Sequence, residues 1–324
     1  MAKVVIQECR DYQLDNLMLK INEGIEKLGG WDLFIRPGDR VLLKVNLIGP
    51  KPSESAAVTH SEFVRSMIRI LKQRGCEVWV GDSSGGAIGG IALTGKSFKV
   101  AGYEKVAEEE GASIKNFDSE GVVEVISESK YEEKMYLAKP IFDADVVINL
   151  PKLKTHSANI YTGAIKNVFG CIPGLRKAKY HKMAPNPEDF GEIIADIHQK
   201  GKFQLHIMDG IWAMQGEGPT AGEVYSGNKI LMSTDPLALD TVAVKMLGIE
   251  IEDVPILAAA RRRGIGESQL ENITIDGDYK NIPRLGNFKL PKRYKSSKRR
   301  NDKALTMVID FFKTKPKINR KKCR

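Results

Sequence analysis

VVINLPKLKTHSANIYTGAIKNVFGCIPGLRKAKYH, residues 146–181, is the stretch on which the reading of the fold turns. It opens on a largely apolar run, 146–150, which reads as a buried strand, and Pro151 ends that strand. Polar groups follow at once: Lys152, Lys154 and His156, then the phrase Thr162-Gly163-Ala164-Ile165-Lys166-Asn167. A second basic segment closes the stretch, with Arg176, Lys177, Lys179, Tyr180 and His181.

On either side of it, strand patterns alternate with helix patterns. Strands are expected at 4–7, 40–47, 75–81, 113–117, 203–209, 229–233 and 273–276, with a further pair at 122–126 and 134–140. Helices are expected at 14–28, 61–74, 98–110, 187–198 and 255–263. One more should run to residue 247, with Asp235 as its N-cap and Pro236 in its first position. The alternation predicts an α/β fold, a doubly wound and mostly parallel sheet with helices on both faces. One domain over 1–290 is expected, with a division into lobes 1–150 and 151–290 near Leu150. Six glycines between 81 and 95 and no bulky aromatic mark a candidate mobile loop.

The 324 residues carry a net charge of +9, which suggests nucleic acid until the charge is located. Residues 291–324 hold fourteen Lys and Arg against two Asp, which leaves the other 290 with 36 basic and 39 acidic groups. The body is near neutral, and the excess belongs to a basic linker arm, a solvated tail or a docking surface for an acidic partner. No specific nucleic-acid partner is expected. Apolar runs fall far short of a membrane span, and the N-terminus has no apolar signal core, so a cytoplasmic protein without a membrane partner is expected. Cys9, Cys76, Cys171 and Cys323 form no C-x-x-C pair.

In open α/β sheets, ligands bind beyond the carboxyl ends of the strands, where strand order reverses. The expected strand ends share a polar character: Lys44 and Asn46, Asp82 with Ser83 and Ser84, Lys154 with His156, and Asp209. Thr162 is placed as the N-cap of a short helix, Gly163 as a residue that lets another group approach the backbone, and the helix N-terminus as an attractor of anions. A lysine one turn inside that end opposes the helix dipole, so Lys166 is better explained by an anionic ligand or by a role as acid, base or nucleophile. Arg176, Lys177 and Lys179 add positive potential, and an anionic small molecule such as a carboxylate or phosphate is the expected substrate. Lys166, His156 and His181 are the candidate catalytic residues. Lys44, Asn46, His60, Asp82, Ser83, Lys154, Thr162, Gly163, Asn167, Arg176, Asp209 and Glu217 are the candidate substrate-binding residues. The two histidines are either an acid/base pair or metal ligands. Residues 81–95 lack a dinucleotide fingerprint, and neither a Walker A motif nor a G-x-S-x-G elbow is present.

Five segments in this order resemble the family called domain of unknown function 362: KVNLIGP (44–50), VGDSSGG (80–86), the run from Asn149 to His181, MDGIWAMQGEGP (208–219) and STDPLALDTVA (233–243). The likeness covers about residues 1–285. Many members of that family carry a ferredoxin-like tail with two 4Fe-4S clusters, beginning C-x-x-C-x-x-C. By that resemblance Cys323 stands where the first ligand of such a module would lie, and one cysteine alone holds no cluster. More distantly, the order His156, Lys166, His181 is similar to the nickel-pincer lactate racemase family, in which the lysine carries the pincer nucleotide and the histidines bind nickel or shuttle protons. The resemblances imply an enzyme acting on an anionic small molecule. It is either an oxidoreductase fed by iron–sulfur electron transfer through a redox partner or tail, or a racemase- or lyase-like catalyst of proton or hydride transfer. A non-catalytic ligand-binding or electron-transfer scaffold is the third reading.

Overall fold

The computed structural model describes residues 1–297 apart from 86, 89, 90, 130 and 175. Up to the central stretch, the chain forms β1 (Ala2–Glu8), α1 (Leu14–Lys27), β2 (Arg40–Lys44), α2 (Ser61–Gln73), β3 (Glu77–Asp82), β4 (Ala87–Ile88), β5 (Ile91–Ala92), α3 (Thr94–Val100), α4 (Tyr103–Glu110), β6 (Ser113–Asn116), β7 (Val122–Ile126), β8 (Lys134–Ala138) and α5 (Pro140–Asp143). It continues with β9 (Val146–Asn149), β10 (Lys152–His156), β11 (Ile160–Thr162), α6 (Ala164–Asn167), α7 (Arg176–Met183), α8 (Pro187–Lys200), β12 (Leu205–Gln215), β13 (Glu223–Ser233), α9 (Pro236–Leu247), α10 (Pro255–Arg262), β14 (Ile273–Gly277) and α11 (Lys292–Ser297).

Ten strands make one sheet, in the order β14-β1-β13-β12-β9-β2-β3-β6, with β10 and β11 attached alongside β12. Neighbours β6, β3, β2, β9 and β12 are all parallel, while β13 runs against β12 and β1. From β2 the chain steps outward through β3 and β6. It then returns to the other side of β2 as β9 and moves on to β12. Strand order therefore reverses between β2 and β9, and a crevice opens at their carboxyl ends. Strands from both sides of residue 150 are hydrogen-bonded neighbours in this sheet, β9 with β12 and β1 with β13.

Side chains alternate between the two faces. Val41, Leu43, Val146 and Ile148 join one core with Leu17 and Ile21 of α1, Phe63 and Met67 of α2 and Tyr103 of α4. Leu42 and Val147 join the other, with Ile193 of α8, Leu239 and Val242 of α9 and Ile256 of α10. The sheet is thus covered by helices on both faces. Among the described residues no helix is long and apolar enough to cross a membrane.

Several expectations need correction. The helix expected at 98–110 is two helices, α3 and α4, because the chain turns at Gly102, whose φ of +82° suits a residue without Cβ. The strand expected at 40–47 ends at Lys44, because Asn46 N–H donates to the Thr59 hydroxyl at 2.9 Å instead of to a neighbouring strand. Residues 152–156, expected as loop, form β10, and β12 runs on to Gln215 through part of the loop expected at 214–219. This overrun matters for the site. The far half of β12 projects past the sheet end, and β10 pairs with it there. The candidate mobile loop falls partly on 86, 89 and 90, and Cys323 with most of the basic arm lies beyond 297, outside the described residues.

Candidate active site

A cavity of about 370 Å³ opens at the β2/β9 switch. One wall comes from the β10–β11 hairpin. Lys154 and Thr162 are directly paired across it, and His156 follows Lys154 by two residues. Paired positions and i,i+2 positions share a face, so these three side chains point together into the cavity. The turn between the strands is tight, and Ile160 takes φ +68° there, a strained position for a β-branched residue.

Lysines dominate the charge. Lys44, fully buried, lies 3.0 Å from Asp82 and donates to the Val45 and Asn167 carbonyls at 2.7 and 3.1 Å. Burial raises the Asp82 pKa, against the pull of Lys44 and Lys177. Lys177 reaches across from α7, donating to the Ser83 carbonyl and hydroxyl at 2.6 Å each and to the Ser84 carbonyl at 3.3 Å. Burial lowers it to about 8. The Ser83 hydroxyl donates to Asp118 Oδ1 at 2.5 Å, which also accepts from Gly174 N at 2.6 Å, so α7 is tied to the β3 end. Lys154 donates to Asn46 Oδ1 at 2.7 Å and to the Ala57 carbonyl at 2.5 Å, and to no carboxylate among the described residues. Burial drives its pKa well below the usual lysine value, and the charges of Lys166 and Lys152 add to that. Lys166 has no hydrogen-bond partner among the described residues, and burial lowers it to about 8.

The two histidines differ. His156 Nδ1 accepts from the backbone N–H groups of Ala158 and Asn159, both at 3.1 Å. A backbone N–H only donates, so Nδ1 is the bare nitrogen and Nε2 carries the hydrogen. Burial, with the charges of Lys166, Lys154 and His181, pushes this ring down to about 2. It is therefore a neutral donor, not a titrating acid or base. His181 stacks on Phe190, centroids 4.6 Å apart, and meets Phe169 edge-on at 5.2 Å. Burial lowers its pKa, with Lys166 and Lys177 adding to the effect. Neither of its ring nitrogens is hydrogen-bonded among the described residues, so it is free to exchange a proton.

A line of amides anchors the lysine wall from behind. Lys154 donates to Asn46, Asn46 Nδ2 to Asn167 Oδ1 at 2.8 Å, Asn167 Nδ2 to Asn149 Oδ1 at 2.7 Å, and Asn149 Nδ2 to His206 Nδ1 at 3.1 Å. Every link points the same way, and all five residues are buried. Aligned hydrogen bonds polarise one another. Thr162 Oγ1, by contrast, is buried in the cavity wall without a partner.

Of the sequence candidates, Lys166, His156, His181, Asn46, Asp82, Ser83, Lys154, Thr162 and Asn167 line the cavity, and Lys44 braces it from behind. The others are elsewhere. Asp209 accepts from Lys152 Nζ at 2.6 Å, Tyr12 at 2.8 Å and His60 N at 3.0 Å, closing a separate buried network. His60 caps α2, its Nδ1 accepting from Glu62 N at 3.2 Å, with its ring stacked on Tyr12 at 3.7 Å. Arg176 is exposed and lies 4.7 Å over the Tyr136 ring. Glu217 accepts from the Lys292 backbone at 2.7 Å and so fastens α11. The N-cap of α6 is Gly163, not Thr162. The anion at that helix start belongs to the protein: Asp240 accepts from Ala164 N, Ile165 N and the Tyr161 hydroxyl at 2.7, 2.9 and 2.9 Å. A Cβ on Gly163 would run into the Tyr161 hydroxyl and the Asp240 carboxylate, so the glycine serves this internal contact.

Sequence reasoning missed Lys177 as an inward group, and also Asn149 and Phe190. Lys177 and Tyr180 are both buried and three residues apart on α7, a helical spacing that marks this lysine off from its exposed neighbours.

Among the described residues no three His, Cys, Asp or Glu are grouped to hold a metal ion. Because His156 presents an N–H and not a lone pair, the residues do not fit a nickel held by both histidines. Cys171 is buried, its thiol pushed up to about 12 by burial, and is no ready metal ligand.

Residues 41–245 match the family described as "Domain of unknown function (DUF362)". A thylakoid-associated protein of Synechocystis sp. is 32% identical over 292 residues, covering 89% of this chain and 88% of that protein. Two solved structures are similar at lower levels: a Thermotoga maritima protein (TM-score 0.43, 14% identity) and the lactate racemase apoprotein of Thermoanaerobacterium thermosaccharolyticum (TM-score 0.47, 10% identity). Each is matched over 76% of this chain, which spans 59% and 57% of their lengths.

Proposed function

This chain belongs to the domain of unknown function 362 family, and from its cavity we propose an enzyme that holds a small carboxylate-bearing anion and moves a proton on it. The observation that carries this reading is Lys166: an amine of pKa about 8 in the cavity with no hydrogen-bond partner among the described residues. Among the described residues Asp82 is the only carboxylate lining the cavity beside Lys154, Lys166 and Lys177, so an anion entering this medium of low dielectric favours their protonated forms and is held by them. An anion entering it meets Lys154 and the unpartnered Thr162 hydroxyl. His156 Nε2–H hydrogen-bonds an oxygen of the substrate. Lys166, titrating near 8, and His181, whose lowered pKa leaves it a neutral base there, exchange the proton. The aromatic faces of Phe169 and Phe190 fix the His181 ring.

An iron–sulfur-linked oxidoreductase is the reading drawn from the family's tail-bearing members. It concerns residues past 297, and the cavity groups favour proton transfer.

The test is isotope exchange. The full chain is incubated in D2O with lactate, malate, pyruvate and 2-oxoglutarate, and C–H exchange is followed by proton NMR. Exchange into at least one acid, reduced at least about a hundredfold in Lys166→Ala, is expected for a group acting in general acid–base catalysis. Exchange unaffected by Lys166→Ala, or none with any of the acids, overturns it.

A further inference from the structure

The lysines around the cavity are not equivalent. Lys44, Lys154 and Lys177 each give their hydrogens to two or more oxygens. Lys166 gives none of its hydrogens to the described residues, although it lines the same space. An amine kept only for its charge is normally surrounded by acceptors. A half-buried one set among other lysines and bonded to no acceptor of the described residues is favoured in its neutral form, with a lone pair available to carbon. Its surroundings describe the carbon. Lys154 and Thr162, opposite each other on β10 and β11, offer a lysine amine that donates to no carboxylate among the described residues and a hydroxyl without a partner. That pair suits a carboxylate. His156, on the same face two residues on, offers one fixed N–H, which suits a carbonyl oxygen. A carboxylate next to a carbonyl is a 2-oxo acid.

We propose that Lys166 forms an imine with the ketone carbon of a 2-oxo acid held at Lys154 and Thr162. The inference rests on the proposed function for the placing of a carboxylate in the cavity. The Nζ lone pair forms the C–N bond while the C=O π pair moves to oxygen, which takes a proton through His181. The nitrogen then gives up its protons, the C–O bond breaks, and the oxygen leaves as water. Amine and ketone become imine and water, with no change of oxidation state. Once protonated, the imine draws electrons from C3, so a C3 proton becomes acidic and His181 accepts it.

The experiment is reductive trapping. The full chain is incubated with pyruvate and sodium cyanoborohydride, a hydride donor that reduces imines, then analysed by intact mass and peptide mapping. One reduced pyruvate per chain is expected, on the peptide holding Lys166. Trapping should be absent in Lys166→Arg and slowed about tenfold or more in Lys154→Met. No adduct, or adducts spread over other lysines at the same level in Lys166→Arg, overturns the proposal. Because a variant can misfold, mapping of the wild-type chain decides by itself: a main adduct on any peptide without Lys166 also overturns it. The two readings fail separately. Isotope exchange without trapping leaves proton transfer standing and removes the imine, and trapping without exchange does the reverse.

Discussion

Lys154 and Asn46 are joined at 2.7 Å, and through that bond a buried lysine amine, its pKa driven well below the usual lysine value, is held by neutral oxygens alone. A cation in this position is a burden on the folded state, since burial takes it out of water with no carboxylate bonded to it. Lys154→Met keeps an unbranched side chain, one atom shorter, and removes the amine. It leaves two acceptors unfilled but relieves the buried cation, so the thermal midpoint should stay the same or rise. Binding of small acids should weaken about tenfold or more. Thermal denaturation and acid binding measured on the same variant check both halves.

Gly170 tests the opposite kind of contact. A Cβ there would run into Asp82 Oδ1 and lie 2.7 Å from Lys44 Nζ. Gly170→Ala should therefore break the Lys44–Asp82 pair and cost about 3–5 kcal/mol, the usual penalty for an uncompensated buried charge. Urea denaturation measures it, and a loss under about 1 kcal/mol would show that the cavity wall yields.

Asp240 gives a pH signature. Burial raises its carboxyl to about 7, against the three donors that hold it. An unfolded aspartate titrates near ~3.9. Between the two values the folded chain binds the proton and the unfolded chain does not. The resulting stability is full below pH ~4 and is lost as pH rises through 7. Stability of the wild-type chain should fall relative to Asp240→Asn across this window, by at most about 1.4 kcal/mol per pH unit. Chemical denaturation at several pH values gives both curves, and parallel curves would contradict the assignment.

Lys166 should also be recognisable by its reactivity. Acylation by acetic anhydride requires the neutral amine, so its labelling should rise with a midpoint near pH 8, while exposed lysines follow a midpoint near ~10.4. His156, held near 2, should add no inflection between pH 5 and 9. Site-resolved mass spectrometry reads the profile.

The fold was legible because its strands and helices announce themselves locally. Largely apolar runs such as 146–149, and the Asp235-Pro236 start of α9, whose carboxylate accepts from Ala238 N at 2.9 Å, need no distant partner to be recognised. Polar strand ends also pointed to the crevice where Asn46, Asp82 and Lys154 meet and which Lys44 braces. Direction was not legible. Asp209 and Lys154 lie in the paired strands β12 and β10, yet Asp209 turns to Lys152 and Tyr12 while Lys154 faces the cavity, and the β-bulge between Lys152 and Lys154 accompanies that difference. Lys177 and Arg176 are adjacent in the chain, one buried and one exposed, because α7 rests on the β3 end. Such partitions depend on contacts between residues far apart in sequence: 94 positions for Lys177 and Ser83, 76 for Asp240 and Ala164.

The central claim is that this cavity recognises a carboxylate through Lys154. Calorimetric titration of the full chain with lactate, pyruvate and their neutral amides tests it most directly. Acid binding that exceeds amide binding, with the preference lost in Lys154→Met, is the predicted result. Equal binding of acid and amide, or an acid preference untouched by Lys154→Met, would contradict it.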